Sequence, residues 1–214
     1  MGTDKALLSL EPDGRRLAEV VVGLLKSVSD DVFLVSAPRP EYSAFGVPVY
    51  ADRYGESGPL GGIASAVAQA RHEFCLVVSC DMPFLNTNLV RWMAGKPRRY
   101  DVLVPQLQGE SRQGSGLVFQ TMHAIYRKSC LPAMERALAE GRWRTVSFFE
   151  DVEVEAIAED DLRKFDPELR SFFSVNTPEA LATAREWRRH VCDGGGMAGG
   201  DGDQRRLATL TART

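Results

Sequence analysis

Cys75-Leu-Val-Val-Ser79, running on into Cys80-Asp-Met-Pro-Phe84, is the stretch that decides the fold. Its first half is apolar without alternation, as expected of a strand covered on both faces rather than one. Pro83 then turns the chain away from the strand. Val32–Val35 is a second short apolar run and Val47–Tyr50 a weaker third, with Val102–Val104, Leu117–Phe119 and Phe172–Val175 read as further strands. Between them lie helical patterns. Leu17–Leu25 is apolar at helical spacing, and Ile63, Ala66, Val67 and Ala70 fall at i, i+3, i+4 and i+7 within 62–70. Leu131–Ala139 reads as another helix. Thr177-Pro178 supplies an N-cap and a proline at the first helical position for a helix through about Arg189.

Strands and helices in alternation, with buried, non-alternating strands, predict an α/β fold: a three-layer, Rossmann-like arrangement around a mostly parallel sheet. In such sheets ligands lie beyond the carboxyl ends of the strands. The residues that follow each strand are therefore the ones to question.

The bulk properties narrow the classes further. The chain has 214 residues, which suits one domain, here residues 1–192, followed by a tail. The tail, 193–214, opens with six glycines in ten residues and reads as flexible. A net charge of −3 argues against a general nucleic-acid coat. No apolar run reaches membrane-spanning length. Cys75, Cys80, Cys130 and Cys192 fit neither a disulfide framework nor a zinc pattern, so the expected setting is the cytoplasm. His72, His123 and His190 are too scattered for a histidine metal site.

Four segments follow strands or stand at equivalent places. Asp81, after the strongest strand, could hold Mg²⁺, a hard cation that takes oxygen ligands, or could cap the next helix. Gly58-Pro-Leu-Gly-Gly62 has glycines that let a backbone approach a base or phosphate closely, or that serve only a turn. Lys5, within Met1-Gly-Thr-Asp-Lys-Ala-Leu7, carries the compact charge suited to phosphate, or is simple surface charge. Asn176 could bond a ligand through its amide or support the Thr177 cap. Arg15, Arg16, Arg98, Arg99 and Arg112 are further cations, which more often serve as solvated surface. The acidic stretch Glu150–Glu168 reads as a solvated face.

Taken together and in order, Met1–Leu7, Gly58–Ile63, Cys80–Phe84 and Ser174-Val-Asn-Thr-Pro-Glu179 resemble the molybdenum cofactor guanylyltransferases (MobA-type nucleotidyltransferases). The resemblance covers about residues 1–190. It implies Mg-dependent transfer of GMP from GTP to molybdenum-molybdopterin, with release of pyrophosphate. It further implies molybdoenzymes or their chaperones as partners. Carried over, Lys5 contacts the nucleotide phosphates and Asp81 binds Mg²⁺ beside the α-phosphate. Ser36, Asp52 and Gly58, Pro59, Leu60 and Gly61 line the guanine-nucleotide site, and Asn176 lies where the pterin phosphate arrives.

The chain departs from that pattern in places. It starts at the Met-Gly of a motif that in the family follows a first strand and a two-glycine phosphate loop; the expectation is a start codon assigned too late. Ser36 stands where the family often has asparagine, and Ser174 replaces one amide of the family's Asn-Val-Asn. Two alternatives follow: a CTP-dependent cytidylyltransferase of the same cofactor, and a non-catalytic module that binds the pterin or a partner.

Overall fold

The computed structural model describes residues 4–10, 14–55, 57–111, 114–193 and 208–209. The α-helices among the described residues are α1 Leu17–Lys26, α2 Gly58–Gln69, α3 Thr87–Gly95, α4 Leu131–Ala139, α5 Glu159–Arg163 and α6 Pro178–Asp193. The strands are β1 Asp31–Val32, β2 Leu34–Val35, β3 Val49–Tyr50, β4 Phe74–Val78, β5 Val102–Ser111, β6 Gly114–Phe119, β7 His123–Arg127, β8 Val154–Ala158 and β9 Ala208–Thr209.

β4 is the spine. All five of its residues are buried. Leu76 and Val78 face a cluster with Val21 and Leu25 of α1 and Leu89 and Met93 of α3. Cys75 and Val77 face the opposite cluster, with Ile63 and Val67 of α2 and Met134 and Ala137 of α4. The layers are thus helix, sheet, helix. Each fully buried aliphatic side chain contributes roughly 1.5–3 kcal/mol relative to exposure, which is why β4 tolerates no polar alternation.

α1 forms because Leu17, Val21 and Leu25 share one face, with Val20 and Val22 buried beside them. Its entry is fixed by the Glu19 carboxylate, which accepts from the Arg16 N–H at 2.6 Å. Thr177 caps α6 as the sequence predicts, its hydroxyl accepting from the Ala180 N–H at 3.1 Å.

The sheet is mixed, which corrects the expectation of a mostly parallel one. β1, β9 and β4 run parallel, as do β5 with β8, while β2 and β3 form a separate parallel pair. β7 runs antiparallel to both β4 and β5, and β6 antiparallel to β5. The cause is connection length. A parallel partner needs a crossover of a dozen or more residues. β5 reaches β6 through residues 112–113, so β6 must turn back along β5; β6 then runs on in the same direction through 120–122 into β7, which therefore also lies antiparallel to β5.

Phe172–Val175 is not a strand. Arg170–Phe172 is a turn of 3-10 helix and the residues after it are irregular. Their apolar character serves packing: Phe173 meets Phe84 and Trp187, and Val175 lies in a cluster with Leu10, Leu17 and Ala184.

Within the expected tail, Ala208 and Thr209 depart from a flexible reading. They pair in parallel with Asp31 and Val32 on one side and with Cys75 and Leu76 on the other. Residues 194–207 and 210–214 lie outside the described residues. Among the described residues no helix is long and apolar enough to cross a membrane. The acidic stretch is largely charge-paired: Glu155 with Lys96, Glu159 with Arg163, Asp161 with Lys164.

A strand between two partners has no spare edge, so a proline within it forfeits a ladder hydrogen bond. Ala208→Pro should cost about 1–3 kcal/mol and lower Tm by several degrees, measured by differential scanning calorimetry. An unchanged Tm would mean the segment does not lodge between β1 and β4.

Candidate active site

β1 and β2 are separated only by Phe33, and β2 pairs in parallel with β3. Through β9 the same direction passes to β4. The carboxyl ends of β2, β3 and β4 therefore share one edge. Ser36, Asp52 and Asp81 leave the sheet there, and the short turn after β3 puts the start of α2 at the same edge.

Asp81 is almost wholly buried, at 8% exposure. It does not cap α3; that work falls to Asn86, whose side chain accepts from the Asn88 and Leu89 N–H groups. One carboxylate oxygen, Oδ2, lies 3.7 Å from Lys5 Nζ. The other, Oδ1, is buried without a hydrogen-bond partner among the described residues. The Asp81 carbonyl accepts from the Val175 N–H at 2.8 Å. That bond brings the next residue, Asn176, to the site, where its Oδ1 accepts from Lys5 Nζ at 2.5 Å. Three segments far apart in sequence thus converge on one ammonium group.

The other expected residues divide. Ser36 is buried, its N–H bonded to the Tyr50 carbonyl and its side chain beside the Tyr42 phenol. Asp52 turns its carboxylate inward: Oδ1 accepts from the Tyr54 N–H at 3.0 Å and from the Ser65 hydroxyl at 2.8 Å. It holds the turn before α2. Gly58–Gly61 is not a loop but the first turn of that helix, with Pro59 exposed. Gly58 has φ +65°, which favours glycine. The Leu60 side chain is fully buried in a cluster with Phe33, Val35 and Ile63. A Cβ on Gly61 would stand 3.2 Å from Ser57 Oγ and 3.3 Å from Tyr54 Cβ. Of the arginines, Arg16 bonds the Glu41 carbonyl and Arg98 lies over the Phe74 ring, while Arg112 is outside the described residues.

Three residues at this edge went unassigned in the sequence. Asp4 and Tyr42 share a hydrogen bond, which nothing in their 38-residue separation announces. His123 is fully buried beneath Phe172, ring centroids 4.7 Å apart, and neither ring nitrogen has a hydrogen-bond partner among the described residues. Burial pushes the His123 ring down to about 4, although the Ser171 main chain and the Asp166 carboxylate favour the protonated form.

The 2-C-methyl-D-erythritol 4-phosphate cytidylyltransferase of Thermus thermophilus has the same fold, with TM-score 0.63, 17% identity, and coverage of 86% of this chain and 94% of that one. The class is thus that of the nucleotidyltransferase fold. A molybdopterin-guanine dinucleotide biosynthesis protein A from Archaeoglobus fulgidus superposes with TM-score 0.70 at 27% identity, covering 88% of this chain and 92% of that one. The probable molybdenum cofactor guanylyltransferase of Pelotomaculum thermopropionicum is 35% identical over 185 residues, 86% of this chain and 85% of the relative. The molybdenum cofactor guanylyltransferase of Desulfosudis oleivorans is 32% identical over 184 residues, 86% of each. The sequence model of the MobA-like NTP transferase domain matches residues 1–154, and the chain belongs to that family of nucleotidyltransferases.

His123 carries a pH prediction. A histidine with its ordinary value of 6.5 when unfolded and about 4 when folded binds its proton more readily in the unfolded state. Its neutral form therefore favours folding above pH 6.5, and stability falls as pH drops from 6.5 toward 4. The difference amounts to about 3 kcal/mol. Urea titrations across that range should show the decline, and His123→Phe, which keeps the stacking, should flatten it. An equal slope in both proteins would remove His123 as the source.

Proposed function

We propose that this protein transfers GMP from GTP to the terminal phosphate of molybdenum-molybdopterin, in the cytoplasm. The observation that carries the reading is the convergence of Lys5, Asp81 and Asn176, with one Asp81 oxygen buried and unpartnered among the described residues. The names of the relatives in Pelotomaculum thermopropionicum and Desulfosudis oleivorans support the choice of nucleotide and acceptor. Cys75, Cys80 and Cys130 are buried and form no disulfide among the described residues, which suits a reducing compartment.

In this reaction a phosphate oxygen of the acceptor attacks the α-phosphorus of GTP. The bond from that phosphorus to the β-phosphate oxygen breaks, and pyrophosphate leaves. Two anions must be brought together, so the protein must supply positive charge and direction. Lys5 provides a compact cation, set beside Asp81 rather than left to swing in solvent. Asn176 offers an amide to the incoming phosphate and holds the ammonium in line. The N–H groups of the first turn of α2 lack a side-chain cap and favour an anion at that edge.

Mg²⁺ fits the donor set. Among the described residues no three His, Cys, Asp or Glu side chains gather to hold a metal. Mg²⁺ does not need them, since it commonly takes one or two carboxylates, waters and substrate phosphates. Asp81, with a buried oxygen unused by the described residues, is the residue that would hold it. When bound, the ion neutralises phosphate charge and aligns attacking and leaving oxygens.

Asp81→Asn should lower kcat for Mg-dependent pyrophosphate release at least about a hundredfold. Lys5→Ala should raise KM for GTP about tenfold or more, the loss of a charge-assisted phosphate contact. Both are read in a coupled pyrophosphate assay with purified protein, GTP and molybdenum-molybdopterin. Turnover with CTP in preference to GTP would overturn the nucleotide assignment. Binding of the pterin without release of pyrophosphate from either nucleotide would replace the transferase reading by that of a binding module.

A further inference from the structure

Lys5 is a flexible side chain, about a quarter exposed, yet its ammonium meets two fixed partners. Something upstream must aim it. The residue before it does so by position. Asp4 Oδ1 accepts from the Ala6 N–H at 3.0 Å and so caps the single 3-10 turn, Lys5–Leu7, that carries the lysine. Asp4 Oδ2 accepts from the Tyr42 hydroxyl at 2.7 Å and pairs with Arg39 Nε at 3.5 Å. Both oxygens are thus committed, and the carboxylate is only 5% exposed.

Tyr42 is a rigid post. It is fully buried and its ring stacks on Phe45, centroids 5.4 Å apart. Burial first, then the Asp4 carboxylate, pushes its phenol up to about 12, so the hydroxyl stays a donor at all working pH values. Ser36, just after β2, stands beside the same phenol. A continuous set of contacts therefore runs from the sheet edge through Tyr42 and Asp4 to the turn bearing Lys5, and from Lys5 to Asp81 and Asn176.

We propose that Asp4 is the positioning residue of the site, clamped between Tyr42 and the Lys5–Leu7 turn so that the Lys5 ammonium is held toward Asp81 and Asn176. Asp4 touches neither substrate nor reacting atoms; it acts through Lys5. This rests on the transferase reading only for its consequence in catalysis, not for the geometry.

The test reads Lys5 itself. Trace acetylation of the folded protein with acetic anhydride, quantified by peptide mass spectrometry, reports how freely each lysine amine is offered to solvent. In Asp4→Ala and in Tyr42→Phe, Lys5 should acetylate about fivefold faster, the factor that corresponds to one lost hydrogen bond of about 1 kcal/mol. Lys164, which pairs with Asp161 on the distant α5 region, serves as the internal control and should not change. Tyr42→Phe keeps the ring packing, so it answers the question even if Asp4→Ala folds poorly. Unchanged Lys5 labelling in folded Tyr42→Phe overturns the proposal, whether or not the protein turns over GTP.

Turnover adds a second arm. Tyr42→Phe should raise KM for GTP in the otherwise unaltered protein and have no further effect in a Lys5→Ala background, since the aimed group is then gone. Additive losses would mean that Tyr42 and Asp4 serve stability alone. Absence of GTP turnover in the unaltered protein would count against the transferase reading, while the labelling result would still decide the role of Asp4.

Discussion

A carboxylate taken out of water must be given a cation or hydrogen bonds, and Asp81 stands where the sheet ends, with 8% of its surface exposed. The rest of the site follows from that demand. Lys5 supplies the charge at 3.7 Å, which is too long for a tight ion pair and leaves the ammonium able to engage another anion. The Asp81 main chain ties down Val175, and so delivers Asn176 to the same ammonium. The buried Oδ1 atom stays unmet by the described residues. In a purely structural aspartate such an orphan would be a net loss, since an unsatisfied buried acceptor costs about 1–3 kcal/mol. A group that arrives with its own positive charge removes that penalty.

The framework that imposes this arrangement was partly legible in the sequence. β4, α1, α4 and α6 carry strong periodicity or strong caps, and each sits where its pattern placed it. The order of apolar strands also located Asp81 at a strand end. The mixed sheet was not legible from strand composition, because a buried antiparallel strand and a buried parallel one look alike. His123–Arg127 carries His, Tyr and Arg in five residues and so hid β7, although four of the five are buried. β8 was concealed inside an acidic stretch, since its partner β5 covers only one edge and its side chains are mostly part-exposed. Phe172–Val175 erred the other way: apolar side chains there pack on His123, Phe84 and α6 with no ladder to join.

The site shows the same division. Charged and amide groups that meet across the edge could be named one by one, because their chemistry is intrinsic to the residue. What they do to each other depends on distance in space. Asp4 and Tyr42 are ordinary residues until a 2.7 Å hydrogen bond joins them, and only the structure shows that Asp52 Oδ1 meets Ser65 and the Tyr54 N–H. The glycines around Leu60 suggest a loop; the structure makes the segment the first turn of α2, with the Leu60 side chain in the core.

That last difference changes how the glycine-rich segment acts. As the first turn of α2, its useful groups are main-chain N–H donors, which no side-chain substitution removes directly. Ser57 precedes that turn but commits its hydroxyl to the Tyr54 carbonyl, so the helix start is left without a side-chain cap. The turn is held in place from two sides. Asp52 fastens it through Ser65 within α2, and the missing Cβ of Gly61 lets Ser57 and Tyr54 approach the helix closely. Asp52 and Gly61 therefore fix where the N–H groups stand at this edge. Lys5, aimed by its neighbour, acts through charge. A cation that is aimed and a helix start that is fixed are complementary means to one end: both present positive potential at the carboxyl edge of the sheet without the reorganisation that water would require.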